Sequence, residues 1–144
     1  MATDAEVENL RKRLGPLCGA TVAEARLRAM GGSWIVLEMN GFHISIDMAA
    51  WRLESSTEFL LACEDHTEII GKEIAQLRGR RISSVEISKF LDLKLDFEGL
   101  VLTAFVASSA RVEILHWSVE FDSGETVFVG PGGSWSLRGP QAQG

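Results

Sequence analysis

The 144-residue chain contains no tyrosine, two cysteines and three prolines. Cys18 and Cys63 form no Cys-x-x-Cys pair, which argues against the alternatives of a disulfide or a metal site. Two reduced, partly buried thiols are expected instead. No apolar run approaches the roughly 20 residues a membrane-spanning helix needs. The opening Met-Ala-Thr-Asp-Ala-Glu lacks the basic and then apolar order of a secretory signal, so a cytoplasmic location is expected. Positive charge is also scarce: 14 Lys and Arg stand against 20 Asp and Glu, giving a net charge of −6 and a pI near 5.1. That balance disfavours long-range attraction to nucleic acid or an anionic membrane, and neither is expected as a partner.

Catalytic signatures are missing as well. There is no Gly-x-Ser-x-Gly elbow. Gly130-Pro-Gly-Gly133 lacks the Lys-Ser/Thr ending of a phosphate loop, and reads as a turn. The histidines, His43, His66 and His116, are scattered. The loose set Glu64, Asp65, His66 and Glu68 reads as a solvated helix N-terminus favoured by the helix dipole. No catalytic residue, metal site or cofactor is expected.

What the chain does have is a pattern written twice. Leu17, Gly19, Val22, Ala25 and Leu27 match Leu77, Gly79, Ile82, Val85 and Ile87, 60 positions on. Glu8, Leu10, Lys12 and Leu14 match Glu68, Ile70, Lys72 and Ile74 at the same spacing. After a two-residue deletion, Ile35, Leu37, Met39, Gly41, Phe42, Ile44 and Ile46 match Leu93, Leu95, Phe97, Gly99, Leu100, Leu102 and Ala104. Trp51-Arg-Leu-Glu54 then matches Trp117-Ser-Val-Glu120. The recurring residues are apolar or glycine, so the repeat specifies a scaffold.

Each repeat opens with a short amphipathic helix. Asp4 is the expected N-cap of the first, which carries Val7, Leu10 and Leu14 and ends at Gly15-Pro16. Asp65 or Thr67 is expected to cap the second, which carries Ile70 and Ile74 and contains the poor helix former Gly71. Period-two alternation then predicts strands around Ile35 to Met39 and Leu93 to Phe97, turning at Asn40-Gly41 and Glu98-Gly99 into Phe42 to Ile46 and Leu100 to Ala104. Further strands are expected from Trp51 to Ser55 and Glu58 to Cys63, matched by Glu113 to Phe121 and Glu125 to Val129.

The expected fold is mainly β (α+β): an internally duplicated antiparallel meander, each half preceded by a short helix, closing as a barrel or a sandwich. One domain spans 1–139, with pseudo-repeats at about 4–63 and 64–130. Trp135 docks a C-terminal segment, and 140–144 form a disordered tail.

Trp51 and Trp117 are expected in the core. Trp34 follows Gly31-Gly32-Ser33 and has no partner in the other repeat, which makes it a candidate binding anchor. Acidic groups cluster at Glu54, Glu58, Glu64, Asp65 and Glu68, and again at Glu113, Glu120, Asp122 and Glu125. Trp34, Glu113, Glu120, Asp122 and Glu125 are therefore the candidate partner-binding residues, for a basic protein such as a nuclease toxin.

The run Leu77 to Val85, the hairpin closing on Phe97-Glu98-Gly99, Trp117-Ser-Val-Glu120 and Val127-Phe-Val-Gly-Pro-Gly-Gly133 together resemble a group of small bacterial β-rich proteins. Some of these look like immunity proteins of polymorphic toxin loci. The resemblance implies a duplicated β fold and a bacterial origin, and it carries over no catalytic residue. Acidity, small size and the lack of a catalytic constellation favour a non-enzymatic protein-binding module, an immunity-like inhibitor of a toxin. A ligand-binding barrel lined by Trp51, Trp117, Phe97 and Phe105, or a self-associating protein forming a homodimer through strand edges, are the alternatives.

Overall fold

A computed structural model of the chain describes residues 2–27, 34–47, 49–107 and 115–139. Helix α1 (Asp4–Leu14) buries Val7, Leu10 and Leu14. Its N-cap is Thr3, one residue earlier than the sequence suggests. The Thr3 hydroxyl accepts from Glu6 N–H while Glu6 Oε1 accepts from Thr3 N–H, each at 3.1 Å. Thr with Glu three residues on satisfies two orphan donors reciprocally, which Asp4 followed by Val7 could not do. Helix α2 (Thr67–Ile74) buries Ile70 and Ile74 and is capped by His66, not by Asp65 or Thr67; His66 Nδ1 accepts from Glu68 N–H at 3.3 Å. Both helices run on into a single 3₁₀ turn that buries Leu17 and Leu77 respectively. Pro16 sits in the first such turn, where its missing N–H costs nothing.

Eleven strands follow among the described residues: β1 (Val22–Leu27), β2 (Ile35–Met39), β3 (Phe42–Ile46), β4 (Ala50–Glu54), β5 (Phe59–Ala62), β6 (Ser84–Ile87), β7 (Leu93–Phe97), β8 (Leu100–Phe105), β9 (Trp117–Phe121), β10 (Thr126–Gly130) and β11 (Ser134–Arg138). They form two antiparallel sheets, one of six strands in the order β1-β2-β3-β9-β10-β11 and one of five in the order β5-β4-β8-β7-β6. Each three-stranded meander stays in one sheet, and the hairpin after it crosses to the other. Thus β4 pairs with β8, and β9 with β3. Neither sheet closes on itself, so no closed barrel forms. Hairpin turns fall where expected, although Asn40 does not take a positive φ whereas Glu98 does, at 56°.

One continuous apolar cluster draws on both helices and both sheets. Trp51 and Trp117 lie in it, as their positions predicted, and the Trp117 indole donates to Leu91 O at 2.9 Å. The two sheets are stitched together where β1 and β6 begin. Gly19 N–H donates to Ile82 O and Gly79 N–H to Val22 O, both at 2.8 Å. Val22 N–H donates to Arg80 O and Ile82 N–H to Ala20 O, around a bridge between Thr21 and Arg81. Helix α1 packs against β6, and α2 against β1.

Candidate functional site

In β2, β3 and β9, Leu37, Met39, Ile44, Trp117 and Val119 face the core, so the alternate residues face outward. Register then sets Glu24, Glu38, His43, Glu120, Thr126 and Arg138 side by side across the outer face of the six-stranded sheet. Opposite charges are not evenly interleaved in this row, because three of its six positions are carboxylates near its centre and one end.

Where the row meets the β2–β3 and β9–β10 turns, a shallow cleft of about 290 Å³ opens between Glu38, Met39, Gly41, Phe42, His43, Glu120, Phe121 and Asp122. Phe42 and Phe121 meet edge to face with ring centres 5.7 Å apart and supply its apolar wall. Asp122 N–H donates to Gly41 O at 2.9 Å, tying the two turns together. Glu38 Oε1 lies 3.3 Å from Arg26 Nη2 and 3.5 Å from His43 Nδ1. Carboxylates beside a partly buried apolar wall form a surface suited to a cation carried on an apolar stem, as in lysine or arginine.

The structure thus brings Glu120 and Asp122 together, and both are exposed. It adds Glu38, Phe42 and His43 from the β2–β3 hairpin, and Phe121, which lies between Glu120 and Asp122 on β9 itself. Glu125 is turned aside, with its Oε2 3.7 Å from Arg13 Nη1 of α1. Trp34 is half-buried just before β2, at the opposite end of that strand from Met39 and the cleft. A five-residue strand separates the two by about 17 Å. Glu113 lies outside the described residues, as do Gly31-Gly32-Ser33 and the tail 140–144. Trp51, Trp117, Phe97 and Phe105 do not line the cleft.

A second polar group was also missed. Ser45, Asp47, His116 and Ser118 lie on the outward-facing positions of β3 and β9, or just beyond those strands, yet are buried. Ser45 pairs with Ser118 across the strands, and Asp47 N–H donates to His116 O at 2.9 Å. Ser45 Oγ donates to Asp47 Oδ1, and His116 Nε2 accepts from Ala107 N–H at 3.2 Å. The serine therefore bonds the carboxylate rather than the imidazole, and the Nε2 lone pair is occupied by a main-chain donor. The four groups form a buried polar contact between β3 and β9.

Among the described residues, no three His, Cys, Asp or Glu side chains converge as a metal ion would require, and no helix is long and apolar enough to cross a membrane. Comparison with models of protein families, with curated proteins and with solved structures gave no match in any of the three.

Proposed function

We propose that the chain is a non-enzymatic protein-binding module whose docking face is the acidic cleft end of the six-stranded sheet, and that it takes a basic protein partner in the manner of an immunity-like inhibitor of a bacterial toxin. The observation that carries this reading is where the two repeats differ. Glu38, Phe42, His43, Glu120, Phe121 and Asp122 correspond to Asp96, Leu100, Val101, Glu54, Ser55 and Ser56. The scaffold recurs, while the histidine, both phenyl groups and one carboxylate of the cleft occur on one side only. His43, Asp122 and the Phe42–Phe121 pair are not required by the recurring scaffold, so their presence on one side supports recognition there. The acidity of the cleft and of the whole chain suits a cationic surface and rapid, salt-sensitive association.

The same comparison supports an origin by internal duplication, in one domain built as a fused pseudo-dimer with its two sheets packed as a sandwich. Every contact at the stitched strand starts has a reciprocal. Gly19 to Ile82 answers Gly79 to Val22, and Ile46 facing Trp117 answers Trp51 facing Ala104. Residue i meeting j while j meets i is the signature of an isologous interface, here within one chain.

The test is capture of a partner by the tagged chain, followed by titration of the purified pair. Glu120→Lys with Asp122→Lys should abolish binding, and Glu54→Lys at the corresponding place in the other sheet should leave it intact. Equal affinity in all three would overturn the reading, as would failure to retain any basic protein at low salt.

A further inference from the structure

Four strands lie at sheet edges, and an unpaired edge offers main-chain donors and acceptors to any passing strand. Three of the four are blocked by identifiable groups. The start of β1 is bonded to the segment leading into β6, as described above. At the far end of β6, Ile87 O accepts from Arg11 Nε at 3.3 Å and Nη2 at 2.9 Å. Strand β5 is short and bulged opposite the Leu53/Glu54 step. Its outward pair at Ala62 is also taken by one residue: Ala62 N–H donates to Asp65 Oδ2 at 2.7 Å, and Ala62 O accepts from Asp65 N–H at 3.0 Å.

Among the described residues, none protects strand β11 in this way. The hairpin bond from Phe121 N–H to Glu125 O fixes the phase of the ladder, so Glu125, Val127 and Val129 bond β9 while Thr126, Phe128 and Gly130 face β11. Their partners are Arg138, Ser136 and Ser134. The N–H and C=O groups of Trp135 and Leu137 therefore point away from the sheet, and no described residue bonds them. The strand is five residues long, without bulge or proline.

We propose that this edge pairs with β11 of a second copy, antiparallel about a two-fold axis at Ser136, joining two six-stranded sheets into one of twelve. The register is self-complementary. Trp135 bonds Leu137 of the other copy in both directions, giving four main-chain hydrogen bonds. Ser136 faces itself, and Arg138 faces Ser134, so no like charges meet. The side chains of Trp135 and Leu137 already pack against the apolar cluster, and each gains an apolar neighbour across the axis. With so few bonds the pair is a weak one, in exchange with monomer. The proposal does not depend on the acidic cleft, because Ser136 lies outside it.

The experiment is sedimentation velocity of the full chain over a concentration series reaching about 1 mM, together with oxidative cross-linking of Ser136→Cys. A non-hydrogen-bonded antiparallel pair brings Cα atoms to about 4.5 Å, within disulfide range. Ser136→Cys should give a covalent dimer, with the parent chain, which carries Cys18 and Cys63, as the control. Ser134→Cys should not link to itself, but should link to Arg138→Cys when the two are mixed. Ser136→Asp, an exposed change that places two carboxylates on the axis, should abolish the concentration-dependent dimer. Leu137→Pro removes an outward N–H but no ladder bond, and should do the same where its circular dichroism matches the parent. A monomer at every concentration without Ser136→Cys cross-linking overturns the proposal. So does a dimer that persists in Ser136→Asp, which would place the contact elsewhere.

Discussion

Replacing glycine by alanine at four positions should give opposite signs, and the structure fixes which is which. Gly15 has helical angles (φ −50°, ψ −42°), and a Cβ there meets nothing within 4 Å. Gly71 lies inside α2, and its Cβ would meet only Leu27 Cδ1 at 3.6 Å, an ordinary contact. Gly15→Ala and Gly71→Ala should each stabilise by about 0.5–1 kcal/mol, because the unfolded chain loses freedom and the folded chain loses nothing. Gly19 and Gly79, at φ 92° and 84°, also have room for a Cβ, so backbone conformation alone decides. Holding an L-residue there costs about 1–2 kcal/mol. The unfolded-state term returns about 0.4–1 kcal/mol. Gly19→Ala and Gly79→Ala should thus each destabilise by about 1 kcal/mol, and by similar amounts, since their N–H groups make reciprocal bonds of equal length. Urea unfolding of the four variants with unchanged m-values measures this. One sign for all four would refute the reasoning, and so would costs at Gly19 and Gly79 that differ by more than the strain itself.

Trp117→Phe should cost about 2–4 kcal/mol, combining a smaller ring in a filled core with a buried Leu91 carbonyl left without its donor; Leu91 is itself fully buried at φ 71°. Loss of under about 1 kcal/mol in urea or thermal unfolding would contradict that role. Glu6 should contribute to acid sensitivity. The main-chain bond from Thr3 and then the Trp135 indole at 2.8 Å hold its carboxyl below the ordinary value of 4.5. A lowered folded-state pKa gives stability that is present above the unfolded value and lost as pH falls through the folded one. Glu6→Gln should therefore reduce the decline in unfolding free energy below pH 4.5 while leaving its shape near neutrality unchanged. An identical acid profile in the variant would remove Glu6 as a cause.

Local physics made much of the fold readable from the chain. Val7, Leu10 and Leu14 at helical spacing, the alternation through Ile35 to Met39 and Leu93 to Phe97, and the glycines at 41 and 99 determine helices, strands and turns within a few residues of where they occur. The repeat also marked Trp51 and Trp117 as core residues, since an indole kept in both copies of a scaffold has a packing role. Caps were less legible, because Thr3 with Glu6 competes with Asp4, and only the geometry of two reciprocal hydrogen bonds separates them.

Strand partners were not legible at all. Alternation tells which face of a strand is buried, but it is silent on which neighbour completes the ladder, because main-chain hydrogen bonds are the same for every sequence. Only the folded chain decided that β4 would cross to β8 and β9 to β3. That crossing placed His43 beside Glu120 and Phe42 against Phe121, assembling the cleft from segments about 80 residues apart. It likewise set Ser45 beside Ser118 and Asp47 against His116, buried residues at positions that a period-two pattern assigns to the outer face. Composition determined the acidity of the chain, and periodicity its helices and strands; which acidic residues face a common surface was decided by long-range strand pairing, for which the sequence carries no local signal.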